Sequence, residues 1–175
     1  MKNSKILHLI VTSIAALLLT ATGSQAERLA PKGHAFEVDL PGKPTYKEQS
    51  RSIGIGTVTS ENYIVENPLN TYFVSIITIP GFASAFTPNS VLFGQTRDGM
   101  LDDVKGTQTS YEDFEVAGKE GKLLVYKMNP PGKPELQGKA QFFRMGKKMY
   151  LFATYGTSGG APQREAFFES IELSD

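Results

Sequence analysis

The chain has 175 residues, 18 of them basic and 18 acidic, with two histidines and no cysteine. Without cysteine there can be no disulfide framework, no lipid-modified cysteine and no thiolate metal site. Neither charge forms a long run or a basic stripe, so the many phosphate contacts of a nucleic-acid-binding protein are missing.

Lys2 and Lys5 precede an apolar stretch, ILHLIVTSIAALLL, and small and polar residues then lead to Ser24-Gln25-Ala26. This three-part pattern predicts a signal peptide (1–26) cleaved after Ala26. The competing reading, a membrane anchor, needs ~20 apolar residues, and this run is shorter and broken by His8, Thr12 and Ser13. Cleavage leaves 149 residues with 16 basic and 18 acidic side chains, a net charge of −2 and no transmembrane span. That length suits one domain whose stability comes from its core alone.

Residues 27–34 read as a flexible lead, and 35–175 as a single domain. AFEVDLP (35–41) alternates Phe36, Val38 and Leu40 with Glu37 and Asp39, the period of a half-buried strand. The turn Pro41-Gly42-Lys43-Pro44 ends it. Residues 53–66 predict another strand or a bent pair, with Gly54 and Gly56 marking a bulge or kink. TYFVSIITI (71–79) carries apolar residues on both faces and must be covered twice. In the loop PGFASAFTP (80–88), Phe82 and Phe86 either tuck beneath the next helix or, if exposed, form an apolar partner-contact loop.

Asn89 or Ser90 is placed to cap a helix reaching about Lys105, with Phe93, Met100, Leu101 and Val104 as its apolar stripe and Gly106 as its stop. Strands follow near 108–116 and 121–128. In AQFFRMGKKMYLFATY (140–155), Gly146-Lys147 suits a type II′ turn. That register sets Met145 opposite Lys148 and Phe143 opposite Tyr150. Phe142, Leu151 and Ala153 then share one face, and Phe143, Tyr150 and Phe152 the other. Arg144, Lys147 and Lys148 read as a solvated hairpin tip. APQREAFFESI (161–171) opens with proline and predicts a second covering helix with Phe167, Phe168 and Ile171 inward. The fold class is α+β: a single antiparallel sheet flanked by helices on both faces, an α/β/α sandwich.

The chemistry-bearing patterns are few. GTSGG (156–160) resembles the nucleophile loop of trypsin-like proteases, but a serine nucleophile needs a base, usually histidine oriented by a carboxylate. His34 is the one histidine after cleavage, and no spacing supports a Ser158 pair with Lys133, Lys147 or Lys148. The glycines read instead as a connection into the last helix. Asp98, Asp102 and Asp103, and separately Glu112, Asp113 and Glu115, are carboxylates without calcium-loop spacing, so no metal is assigned. Gly54-Ile55-Gly56 lacks the third glycine and helix of a dinucleotide site. PGKP occurs at 41–44 and 131–134 as turn chemistry, not a repeat. No cofactor is expected.

In order, FEVDLPGKP, the helix ending RDGMLDDV, GKEGKLLVYKM, FFRMGKKMYLFATYG and FFESIEL resemble the PsbP-like proteins across residues 35–173. That superfamily includes the extrinsic subunit of photosystem II, a Ran-binding nuclear-import factor and short exported bacterial members of unassigned role. The resemblance implies an antiparallel sheet flanked by helices and a binding or assembly role without an enzyme mechanism. No binding motif of the family matches residue for residue, so no functional residue carries over, and photosystem association is not implied. The expected function is an exported, non-catalytic binding or accessory domain of the periplasm or envelope that recognises a protein partner. A small-ligand or lipid carrier is the alternative, and an enzyme is the third class.

Overall fold

The computed structural model describes residues 26–53 and 56–174, with the side chains of Arg51, Ile53 and Phe82 outside the described set. The expected signal segment, up to Gln25, and the Gly54-Ile55 pair also lie outside it. Among the described residues ten strands and three α-helices follow in order: β1 (Glu27–Leu29), β2 (Phe36–Leu40), β3 (Thr45–Ile53), β4 (Gly56–Glu66), β5 (Asn70–Thr78), α1 (Gly81–Phe86), α2 (Asn89–Val104), β6 (Gly106–Val116), β7 (Lys119–Met128), β8 (Leu136–Met145), β9 (Lys148–Gly156), α3 (Ala161–Glu169) and β10 (Glu172–Leu173). A 3-10 turn, Ser158–Gly160, precedes α3.

Seven strands form one antiparallel sheet in the order β3-β4-β5-β9-β8-β7-β6. At its centre β9 lies between β5 and β8, and all three are apolar on both sides. Tyr72, Val74, Ile76, Phe143, Tyr150 and Phe152 face one core; Ala140, Phe142, Met149, Leu151 and Ala153 face the other. The β8–β9 register is the expected one, with Met145 opposite Lys148 and Phe143 opposite Tyr150. Gly146 has φ +60, as the first position of a type II′ turn requires. Burying each of the larger aliphatic and phenylalanine side chains contributes roughly 1.5–3 kcal/mol, so both faces demand a lid.

The two lids differ, which corrects the single-sheet expectation. On one face lie α1 and α2, whose Ala83, Leu92, Phe93 and Met100 close the second core. On the other, a separate three-stranded sheet, β1-β2-β10, shares the cover with α3. The cause lies in β2: Phe36, Val38 and Leu40 point at the large sheet, while Glu37 and Asp39 point outward. A strand with that period cannot cover a core alone, and it recruits β1 and β10 as hydrogen-bonded neighbours. Arg28 holds the outer surface of this small sheet together, bonding Glu172 at 2.7 Å and Glu37 and Asp39 at 3.1 Å each.

Residues 27–34 therefore hold a strand where a flexible lead was expected. They also hold His34, whose side chain is 7% exposed, with Nε2 3.3 Å from Glu61 and Nδ1 3.3 Å from the Lys148 ammonium. Loop 80–88 contains the helix α1. The hairpin tip beside it is solvated at Gly146 and Lys147, as expected, but Arg144 is clamped: it donates to Asn89 Oδ1 (2.6 Å), Ser84 Oγ (3.0 Å), Gly146 O (3.2 Å) and the Ser84 carbonyl. Helix α2 lacks the expected side-chain cap. Pro88 stands at its N-cap, and Asn89 is spent on Arg144. Its left-handed C-cap is Lys105 rather than Gly106.

Three expectations follow. Gly94 and Gly99 lie inside α2, and a Cβ at either meets nothing within 4 Å. Gly94→Ala and Gly99→Ala should each raise stability by about 0.5–1 kcal/mol in urea melts. Gly138 is the opposite case, since a Cβ there would sit 2.2 Å from the Tyr126 ring; Gly138→Ala should cost about 1–3 kcal/mol in the same melts. His34 supplies the third. Burial lowers its proton affinity foremost, Lys148 lowers it further, and Glu61 opposes, leaving the net shift downward. The unfolded chain thus takes up a proton at about pH 6.5 that the native state refuses. Stability is full above that pH and falls as pH drops toward the lower native value. His34→Gln should flatten the loss between pH 7.5 and 5.5, and an unchanged slope in paired melts would assign the loss to other groups.

Candidate functional site

Helix α2 does not cover its whole face of the large sheet. It packs on β6 and β7 and over the side chains of β8 and β9. The same face of β3, β4 and β5 is left beside it. The space between helix and strands is an open groove of ≈ 770 Å³.

Strand register orders the groove floor into rows. Ile64, Phe73 and Ala153 form an apolar row across β4, β5 and β9. The next row runs Lys47, Asn62, Ser75 and Leu151, and the one beyond it Gln49, Ser60 and Ile77. Polar groups thus sit in the middle of an apolar floor. They are arranged by one another: Ser75 Oγ donates to Asn62 Oδ1 at 2.8 Å, and Asn62 Nδ2 donates to Ser60 Oγ at 3.3 Å. The helix wall consists of Gln95, Thr96, Gly99, Met100, Asp103 and Val104. Gly99 matters here, because the absent side chain widens the groove midway along the wall. Lys47 is the cation of the lining, while Glu66 and Asp103 are its acids. Sequence periodicity could not show this site, since it is the part of a covered face that the cover fails to reach.

A second cleft, ≈ 470 Å³, lies between the start of α2 (Asn89, Ser90, Phe93) and the β6–β7 hairpin (Asp113, Phe114, Glu115, Glu120, Lys122). Lys122 bonds Asp113 within it.

The residues singled out in the sequence scatter. Ser158 is exposed at the start of the 3-10 turn, past the end of β9, whereas His34 touches Lys148 at the beginning of that strand. Nine strand residues at ~3.3 Å each hold them about 30 Å apart. The glycines around Ser158 have a packing role instead. A Cβ on Gly156 would stand 2.2 Å from Asn70 Oδ1, and one on Gly160 would stand 2.1 Å from it. Asn70 needs that room because it is the centre of a buried network. Arg164, 6% exposed, donates to Asn70 Oδ1 at 2.6 Å and to Thr157 O at 2.8 Å, while Asn70 Nδ2 donates to Gly160 O at 3.0 Å and Tyr72 Oη at 3.1 Å. Burial pulls the arginine's proton affinity down, and the hydrogen bonds keep the charge tolerable. Nothing in the sequence marked Arg164 as buried.

Asp98 is paired with Arg97 at 2.7 Å, Asp102 is exposed, and Asp103 lines the groove. Among the described residues no three acidic or histidine groups gather where a metal ion could sit. Phe86 stands 74% exposed at the end of α1, so it does not tuck beneath α2; the Phe82 side chain lies outside the described residues. No helix among the described residues is long and apolar enough to cross a membrane.

No protein-family profile matches the chain, and no curated protein matches it by sequence. Solved structures match it by three-dimensional fold. The solution structure of cyanobacterial PsbP (CyanoP) from Synechocystis sp. PCC 6803 superposes with a TM-score of 0.55 at 12% identity, over 86% of this chain and 93% of that one. A Pseudomonas aeruginosa protein of unknown function, PA94, described as a putative regulator, aligns at 11% identity with a TM-score of 0.41, over 82% of this chain and 91% of its own. The first of these agrees with the resemblance read across residues 35–173, and the fold of this chain is PsbP-like.

Proposed function

We propose that this protein is an exported, non-catalytic binding or accessory domain that receives part of a protein partner in the groove between α2 and strands β3–β5. The observation that carries the reading is the uncovered half of the sheet face, with Ile64, Phe73 and Ile77 half-buried in its floor. Half-buried apolar side chains beside a polar rim are the composition of a contact surface. The N-terminal charged, apolar and small-residue pattern supports export to the periplasm or beyond. Phe86, in the same helical layer, supplies a further apolar contact for that partner.

A second reading has its own support. The groove volume lies within the ~300–1,000 Å³ of small-molecule sites, and Asn62, Ser60 and Ser75 converge in an apolar floor. Those features suit a carrier of a small amphiphilic ligand.

Gly99→Leu separates these readings from a fold defect, since the new side chain starts in open space and fills the groove. Co-purification from envelope extracts should show at least a tenfold lower partner yield for Gly99→Leu than for wild type, at a thermal stability no lower than that of wild type. A Phe86→Asp variant should show a smaller loss. Equal yields from all three proteins would remove the groove reading. A small molecule released by organic extraction from wild type but not from Gly99→Leu would favour the carrier.

A further inference from the structure

We infer that the outer edge of β3 is a strand-addition site, taking an extended partner segment as an eighth strand whose adjacent residues are acidic toward the groove and basic toward the opposite face. The inference rests on the protein-partner reading above and names the partner's conformation and charge.

β3 is the terminal strand of the large sheet, with β4 on one side and no further strand on the other among the described residues. An edge of this kind presents a row of backbone donors and acceptors, and proteins ordinarily blunt it with a bulge, a proline, brevity or charged side chains. The opposite edge is blunted: β6 carries a register shift between Gln108 and Ser110. Of these devices β3 has only the charges. Its nine residues pair with β4 without a shift, from Thr45 opposite Ile64 to Ile53 opposite Gly56, and Pro44 stands before the strand rather than in it. Both faces of this edge are also open. Lys47 and Gln49 line the groove, and Tyr46 and Glu48 lie exposed on the other side.

The charges select the occupant. Lys47 and Glu48 are neighbours on opposite faces, so an added strand meets a cation and an anion at two consecutive positions. An acidic residue facing Lys47 and a basic one facing Glu48 satisfy both. The second face favours a cation further, because Glu48 and Glu61 stand directly opposite each other with only Tyr46 Oη (3.0 Å from Glu48) and His34 (3.3 Å from Glu61) as their polar partners among the described residues, and Tyr46 packs on Tyr63 at 5.1 Å between ring centroids. An aromatic pair beside two carboxylates accommodates a lysine or arginine side chain. A second copy of the chain suits this edge poorly. Antiparallel self-pairing centred on Gln49 would set Lys47 against Arg51, and pairing centred on residue 47, 48 or 51 would set like against like; centring on Ser50 sets Lys47 against Ile53 and Glu48 against Ser52, which leaves both charges unmatched.

The test uses the purified protein and a synthetic peptide, acetyl-Val-Thr-Thr-Lys-Glu-Val-Thr-amide, whose antiparallel register places lysine at Glu48 and glutamate at Lys47. Peptide at millimolar concentration should slow exchange of β3 amides at least tenfold. A backbone N-methylated version, which cannot complete the ladder, should have no effect. The Lys47→Glu/Glu48→Lys protein should prefer the peptide with lysine and glutamate exchanged by at least fivefold. Gly99→Leu should bind the peptide normally, so failure of the groove reading leaves this titration intact. Equal binding of the N-methylated peptide, protection outside β3, an unreversed charge preference, or concentration-dependent β3 protection without peptide would each overturn the inference; the last would assign the edge to a second copy.

Discussion

The structure depends on the two-sided apolar character of β5, β8 and β9. A strand with oily side chains up and down is unstable at any surface, so these three must occupy the middle of a layered body. Val74, Ile76, Phe142, Phe143 and Phe152 are all fully buried there. What remained open was which segments would serve as covers. The chain answers differently on the two sides, with helices on one and a small sheet sharing the work with α3 on the other.

That asymmetry produces the candidate site. Helix α2 covers the β6–β9 half of its face and stops, so the β3–β5 half is walled by the helix but not roofed. Polar residues at Asn62 and Ser75 are tolerated in the floor because they bond each other at the rim of the core. The deeper polar node at Arg164 and Asn70 has another task. It ties the start of β5 to the end of β9 and to α3, at a point where strand, turn and helix all bring backbone carbonyls inward. Satisfying those groups with one guanidinium and one amide requires glycine at 156 and 160.

How far the sequence was legible can be judged from particular residues. Phe36, Val38 and Leu40 announced β2, Gly146 announced the hairpin turn, and Phe167 and Phe168 announced the last helix, because each signal is periodic or local. His34 illustrates the limit. It reads as a residue in a polar lead, yet its side chain is held between β4 and β9 by Glu61 and Lys148, which lie far along the chain. Asn89 reads as a helix cap, but Arg144, 55 residues away, claims its side chain.

By itself the sequence determined the central strands, their hairpin register and the α2 and α3 spans. These properties reside in side-chain alternation and turn stereochemistry, which act over a few neighbours. Only the tertiary structure decided that a second sheet forms one lid, that the glycines near Ser158 make room for Asn70, that Phe86 is exposed and that a groove opens beside α2. Each of these depends on which distant segment arrives at a given surface and how far it extends, and such contacts leave no period in the chain.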